Sequence, residues 1–213
     1  MPKIFISFDI ETDFKHKLLN IGWCKSINQD EGKEYFIWQN EKFLYYDNNC
    51  DKKYIKILNI WRPAEKTPIG QVLTEFKKDT DGKIIVGWNI KCFDIPILRK
   101  YFQKYLDIDW RPSYFDGYEC IRELIKKDNN FCHKLMKVNG LTPSGMYPKM
   151  SAEAMFKYFT GCFGYEEWHT ALYDAQDERH LIKAMHEIGV SPFKRAKIFE
   201  PSKKNNPNAK HIS

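Results

Sequence analysis

Apolar positions gather first in KIFISF (3–8), then in LLNIGWCKSI (18–27) and EYFIWQ (34–39). These short runs are rich in β-branched and aromatic side chains, and the cluster NQDEGK between the last two reads as a turn. The pattern predicts a three-stranded antiparallel meander. A polar, irregular stretch follows over about 40–65, broken by Asn48, Asn49 and Pro63. Ile69, Val72, Leu73 and Phe76 then recur at helical spacing in IGQVLTEFKK. Asp81-Gly82 turns into KIIVGWN (83–89), a buried-strand run.

FDIPILRKYFQKYL (93–106) predicts a helix, with Pro96 in a first turn that needs no N–H there. A short strand near 113–116 and a helix from about 118 follow. Residues 128–149 read as loop, through DNN, NG, TPSG and YP, with Arg122, Lys126, Lys127, Lys134 and Lys137 making the approach basic. Ser151 reads as the N-cap of SAEAMFKYF. The last helix is expected over about 170–188, with Leu172, Ala175, Ile182 and Met185 on one stripe. Strands first, then alternating helices and strands, predict an α/β domain: a mixed sheet flanked by helices. One domain over 1–190 and a flexible basic tail over 191–213 account for the length.

Composition narrows the classes. No apolar run reaches membrane-spanning length and the first residues carry no signal-peptide pattern, so a cytoplasmic, intracellular protein without membrane contact is expected. The six cysteines form no C-x-x-C pair; buried free thiols are expected rather than a zinc or redox motif. The net charge of +6 suggests nucleic acid, but residues 191–213 hold six Lys or Arg against Glu200 alone, so the rest of the chain is about neutral.

The acids are more informative than the net charge. Asp9 and Glu11 in FDIET are two apart on a strand and share one face, at the strand end where α/β sheets place ligands. Asp94 follows a buried strand and also has the position of an N-cap. Asp174, in HTALYDAQDE (169–178), has Asp177 and Glu178 at i+3 and i+4, a mutually repelling patch that suits either a solvated face or a bound cation. If the segments converge, their hard oxygen ligands suit Mg²⁺ or Mn²⁺. A pair of such ions can clamp the attacking and leaving oxygens of a phosphodiester displacement. A histidine has the proton affinity to serve as base beside them.

In order along the chain, FDIET, GWNIKCFDIPIL and HTALYDAQ resemble the D-x-E, N-x-x-x-F-D and H-x-A-x-x-D motifs of the DEDD 3′-to-5′ exonucleases. The resemblance spans about residues 4–187. It implies an RNase H-like fold, with three antiparallel strands first in a mixed sheet flanked by helices. It implies that Asp9, Glu11, Asp94 and Asp174 ligate two Mg²⁺ or Mn²⁺ ions and that His169 activates the water. Thr12 would lie at the terminal nucleotide and Asn89 would brace the scissile region. Phe14, Trp88, Trp168 and Tyr173 are candidate stacking surfaces.

The family divides by its base, His five residues before the last Asp or Tyr four before it. His169 with Asp174 fits the first (DEDDh) spacing, and Tyr173 with Asp177 fits the second. The Ala171 and Asp174-Ala175 context favours the His type. The implied activity is metal-dependent hydrolysis from the 3′ end of single-stranded DNA or RNA, DNA favoured, giving nucleoside 5′-monophosphates. A proofreading role would need a polymerase or replication partner. A catalytically silent nucleic-acid-binding module of the same fold is the alternative.

Overall fold

Alternation along β1 (Phe5–Thr12) gives the strand two buried faces. The structure, a computed structural model, describes residues 4–13, 15–26, 32–37 and 59–201. Ile6, Phe8 and Ile10 point into a core that also holds Val72, Leu73 and Phe76 of α1 (Ile69–Thr80) and Ile95, Leu98 and Phe102 of α2 (Asp94–Leu106). Phe5 belongs to a second core on the opposite face, with Leu181, Ile182 and Met185. Asp9 and Glu11 share the face of Phe5, which is the side that matters below.

β1 is flanked by β2 (Leu18–Lys25), antiparallel, and β5 (Ile84–Gly87), parallel. The sheet has seven strands in the order β4-β3-β2-β1-β5-β6-β7, where β3 is Gly32–Ile37, β4 is Lys66–Thr67, β6 is Ser113–Asp116 and β7 is Lys197–Ile198. β1, β2 and β3 form the expected antiparallel meander; β5 and β6 continue the sheet in parallel. Further helices among the described residues are α3 (Gly117–Lys127), α4 (Asn129–Asn139), α5 (Ala152–Thr160), α6 (Ala171–Glu187) and the short α7 (Pro192–Arg195). This is the mixed sheet flanked by helices that the pattern predicts. No helix among the described residues is long and apolar enough to cross a membrane.

Two segments differ from the expectation. Residues 129–139, expected as loop, form α4. Asp128 is the reason: it ends α3 and also caps α4, accepting the Phe131 N–H at 3.0 Å. An Asp-Asn-Asn run that reads as a turn is thus a helix junction. The stretch after 190 is folded as far as it is described. β7 pairs with β6, and Phe199 is buried against Tyr114 in the first core. The remainder of the expected tail, residues 202–213, lies outside the described residues, as do Phe14 and most of the polar stretch 40–65. Cys24 and Cys120 are buried free thiols as expected, but Cys92 and Cys162 are exposed.

Candidate active site

Three segments meet at the C-terminal end of β1. The first is β1 itself, where the register with β2 shifts between Glu11 and Thr12. Such irregularities re-aim side chains at a strand end. The second is the turn after β5. Asn89 there has φ 60°, and Ile95 N–H bonds back to the Ile90 carbonyl at 2.9 Å, in the turn that leads into Asp94. Phe93 takes the N-cap position and makes no side-chain cap bond, so Asp94 is the first helical residue and not a cap. The third is the start of α6, preceded by His169 at φ 56°. Non-glycine residues rarely adopt this backbone region, and two of the sequence-predicted site residues do so here.

The first turn of α6 is held by the sheet. Thr170 makes no side-chain cap. Instead Asn20 Oδ1 accepts the Ala171 N–H at 2.7 Å, and Glu34 Oε1 accepts the Leu172 N–H at 3.2 Å. Close approach is possible because position 22 is glycine: a Cβ there would lie 2.2 Å from the Leu172 nitrogen. Asn20 pairs with Glu11 across β1 and β2, so the contact that fixes α6 is one strand away from a candidate ligand.

The result is a cleft of about 200 Å³ whose walls include Asp9, Glu11, Thr12, Trp88, Asn89, Asp94 and Asp174. The donor atoms of Glu11, His169 and Asp174 lie within 4.8 Å of one another, a group that could hold a metal ion. Thus every sequence-predicted site residue within the described residues is brought to this one place. Of the further aromatic candidates, Trp168 and Tyr173 pack on each other outside the cleft, 62% and 53% exposed, with ring centroids 6.0 Å apart.

Three more acids line the cleft: Glu167, Asp177 and Glu178. Among the described residues, no Lys or Arg lines it. Burial and then the neighbouring carboxylates, Asp94 first, hold Asp9 well above the usual carboxylate range. Burial pushes Asp94 up to about 7, against the lowering effect of its own backbone N–H and that of Ile10. Glu178 is raised well above its ordinary value by burial and by Asp94. Asp94 Oδ1 is buried with no hydrogen-bond partner. Clustered carboxylates with a buried oxygen that has no hydrogen-bond partner fit a hard divalent cation, which would neutralise them.

Sequence reading missed Glu178, treating it as part of a repelling patch. Its Oε2 accepts the Trp88 N–H at 3.0 Å, and a Cβ at Gly87 would come within 2.9 Å of the same oxygen. Asp116, also missed, accepts Asn89 N–H at 3.1 Å and Lys91 N–H at 3.0 Å. Two buried carboxylates therefore cradle the turn that carries Asn89. The only early signal for Glu178 was its place four residues after Asp174, on the same face of α6. Asp177 has a different partner: Tyr165 Oη donates to its Oδ2 at 2.6 Å.

Comparison with solved structures gives the same architecture. The chain aligns with E. coli exonuclease I in complex with a 5cy-dT13 oligonucleotide at a TM-score of 0.61 and 14% identity, covering 91% of this chain and 43% of that one. The chain shares the fold of exonuclease I. The zinc-bound form of the E. coli exonuclease I–ssDNA complex aligns at 0.61 and 16% identity, covering 91% of this chain and 42% of that one. The moderately thermophilic exonuclease I of Methylocaldum szegediense gives the same values, 0.61 and 16%, over 91% and 42%. The chain spans about two fifths of the length of these exonuclease I structures. At such identities the likeness is one of fold. No protein-family model and no curated protein sequence matches the chain.

Proposed function

We propose that this chain is a metal-dependent 3′-to-5′ exonuclease of the DEDDh type, which hydrolyses single strands, DNA in preference to RNA, to nucleoside 5′-monophosphates. The observation that carries this reading is the meeting of Glu11, His169 and Asp174 within 4.8 Å, in a cleft that Asp9 and Asp94 also line. Asp9, Glu11, Asp94 and Asp174 would hold the ions, Mg²⁺ or Mn²⁺. Two bound ions supply an acidified attacking water and stabilisation of the departing 3′-oxygen.

His169 takes the proton of the attacking water. Its Nδ1 faces Glu167 Oε2 at 3.8 Å, so the imidazolium formed in that step has a carboxylate opposite it. Glu167 is in turn held by the Glu153 N–H, 3.0 Å from its Oε1. Thr12 and Asn89, on the cleft wall, position the terminal nucleotide and the scissile region, with Trp88 as the aromatic surface on the same wall. The His-type assignment draws support from the surroundings of the alternative pair. Tyr173 is exposed outside the cleft, and Asp177 is engaged by Tyr165. The preference for DNA rests on the exonuclease I neighbours, which were solved with DNA strands.

Chromatography of the products from matched single-stranded DNA and RNA tests the reading. Nucleoside 5′-monophosphates should accumulate from DNA with Mg²⁺ or Mn²⁺, more slowly from RNA, and not in EDTA. Strands that are bound but returned intact with every metal would establish the silent binding module instead.

A further inference from the structure

A second concavity, of about 900 Å³, shares the Trp88–Asn89 turn with the carboxylate cleft. Trp88 and Asn89 line both, so the two hollows adjoin at this turn. Their chemistry is opposite. Among the described residues, the acids of the cleft have no Lys or Arg beside them in its lining, whereas the second hollow is lined by Arg122 and Lys126 without an acid.

The sequence of α3 explains the separation of charge. Glu119 and Glu123 turn away to other partners: Glu119 pairs with Lys91 at 2.7 Å and Lys197 at 3.1 Å, and Glu123 lies 3.9 Å from Lys197. Arg122 and Lys126, one turn apart, face the groove, and neither has an ion-pair partner among the described residues. Two adjacent cations left without carboxylates are a ready site for phosphates.

The groove walls are apolar and ordered. The Trp88 indole N–H donates to the Met150 carbonyl at 2.8 Å, and its ring meets Tyr118 edge-on with centroids 6.1 Å apart. Opposite, Tyr147 and Met146 stand 58% and 65% exposed. They do so on a loop closed by the Leu141–Pro148 bridge and by the Thr142 N–H on the Tyr147 carbonyl at 2.8 Å. A fixed loop that presents an aromatic ring and a thioether to solvent, across from two cations, has the composition of a single-strand platform.

We propose that this groove receives the nucleotides on the 5′ side of the scissile phosphate. Arg122 and Lys126 contact successive phosphates, and Tyr118 and Tyr147 offer their rings to the bases. The inference rests on the exonuclease reading of the adjoining cleft and extends it to substrate length and salt dependence. Recognition of this kind carries no base sequence.

The test compares wild type with Arg122→Glu/Lys126→Glu, and separately Tyr147→Ala, by two readouts. The first is anisotropy of a 5′-fluorescein dT12 strand in EDTA, where no hydrolysis intervenes. The second is steady-state hydrolysis with Mn²⁺ of dT12 and of the 4-nitrophenyl ester of thymidine 5′-phosphate, a one-nucleotide substrate. The charge reversal should weaken dT12 binding and raise its KM by tenfold or more. It should also flatten the dependence of log Kd on log salt by about 1.4, two phosphates at ~0.7 each. The effect should shrink to under twofold on the ester, and Tyr147→Ala should weaken dT12 several-fold without changing the salt slope. Unchanged dT12 affinity and slope in the double variant would overturn the proposal. So would equal losses on ester and strand, which place the effect in the cleft. If wild type hydrolyses neither substrate, the exonuclease reading fails, and the anisotropy arm still decides the groove.

Discussion

Asn20 Oδ1 accepts the backbone N–H of Ala171 at 2.7 Å, joining β2 to the first turn of α6. Asn20 is fully buried, and its amide also donates to the Tyr35 carbonyl at 3.1 Å. The helix that carries Asp174, and the strained residue His169 just before it, are thereby located against the strand paired with Glu11. Asn20→Ala leaves a buried N–H and a part-buried carbonyl without these partners. It should cost about 1–3 kcal/mol in urea denaturation, and weaken the Mn²⁺-induced rise in Tm, because two of the three grouped donors belong to the loosened segment.

Gly22 tests the same junction by sterics. A Cβ would meet the Leu172 nitrogen at 2.2 Å and the Ala171 carbonyl carbon at 2.5 Å, both backbone atoms that cannot swing aside. Gly22→Ala should therefore destabilise the protein by about 3 kcal/mol or more, at the upper end of overpacking effects. An unchanged urea midpoint would show that α6 is not seated on β2 as described.

The cleft predicts an unusual pH dependence. Asp9, Asp94 and Glu178 hold protons to higher pH in the folded state than ordinary carboxylates, and Asp94 does so up to about 7. In the unfolded chain these groups lose their protons near pH ~4. Between the two, the folded state binds more protons than the unfolded state, so stability falls as pH rises. The metal-free protein should be more stable at pH 5 than at pH 8, by an amount on the order of a few kcal/mol. Mn²⁺ competes with those protons, so it should stabilise more at pH 8 than at pH 5. Thermal denaturation at both pH values, with EDTA and with Mn²⁺, checks the sign.

Glu178→Gln separates charge from hydrogen bonding. The amide oxygen still accepts the Trp88 N–H, while a carboxyl whose ionisation is opposed by burial and by Asp94 is removed. The variant should melt higher than wild type in EDTA by about 1 kcal/mol equivalent or more, a gain typical of relieving strain at a functional site. Its Mn²⁺-induced shift in Tm should be smaller than that of wild type. If Glu178 serves only to hold Trp88, both values will match wild type.

Much of the architecture is legible in the chain because local patterns and tertiary burial agree. The apolar run FISF becomes the start of β1; IGQVLTEF carries its apolar stripe into α1; Ser151 caps α5, accepting the Ala154 N–H at 3.2 Å. The segments that misled are those where one residue serves two elements or where charge masks packing. Asp128 both ends α3 and starts α4. The basic run PFKRAKIFE looks like a tail, yet Phe199 finds Tyr114 and β7 adds to the sheet edge. The convergence of Asp9, Asp94 and Asp174 follows from motif order. Burial of Glu178 does not, since it depends on the turn after β5 reaching α6, a contact separated by 90 positions in the chain.

Hydrolysis of a 5′-labelled single strand by wild type, His169→Ala and Tyr173→Phe is the most direct test of the central claim. With Mg²⁺ or Mn²⁺ the wild type should give a ladder that shortens from the 3′ end, and none in EDTA. It should be slowed by about 10²-fold or more in His169→Ala, the size of effect expected for a lost general base, and persist in Tyr173→Phe. A ladder lost in Tyr173→Phe and kept in His169→Ala would contradict the assignment of His169 and Asp174. No ladder with any metal, while the strand remains bound, would contradict the nuclease itself.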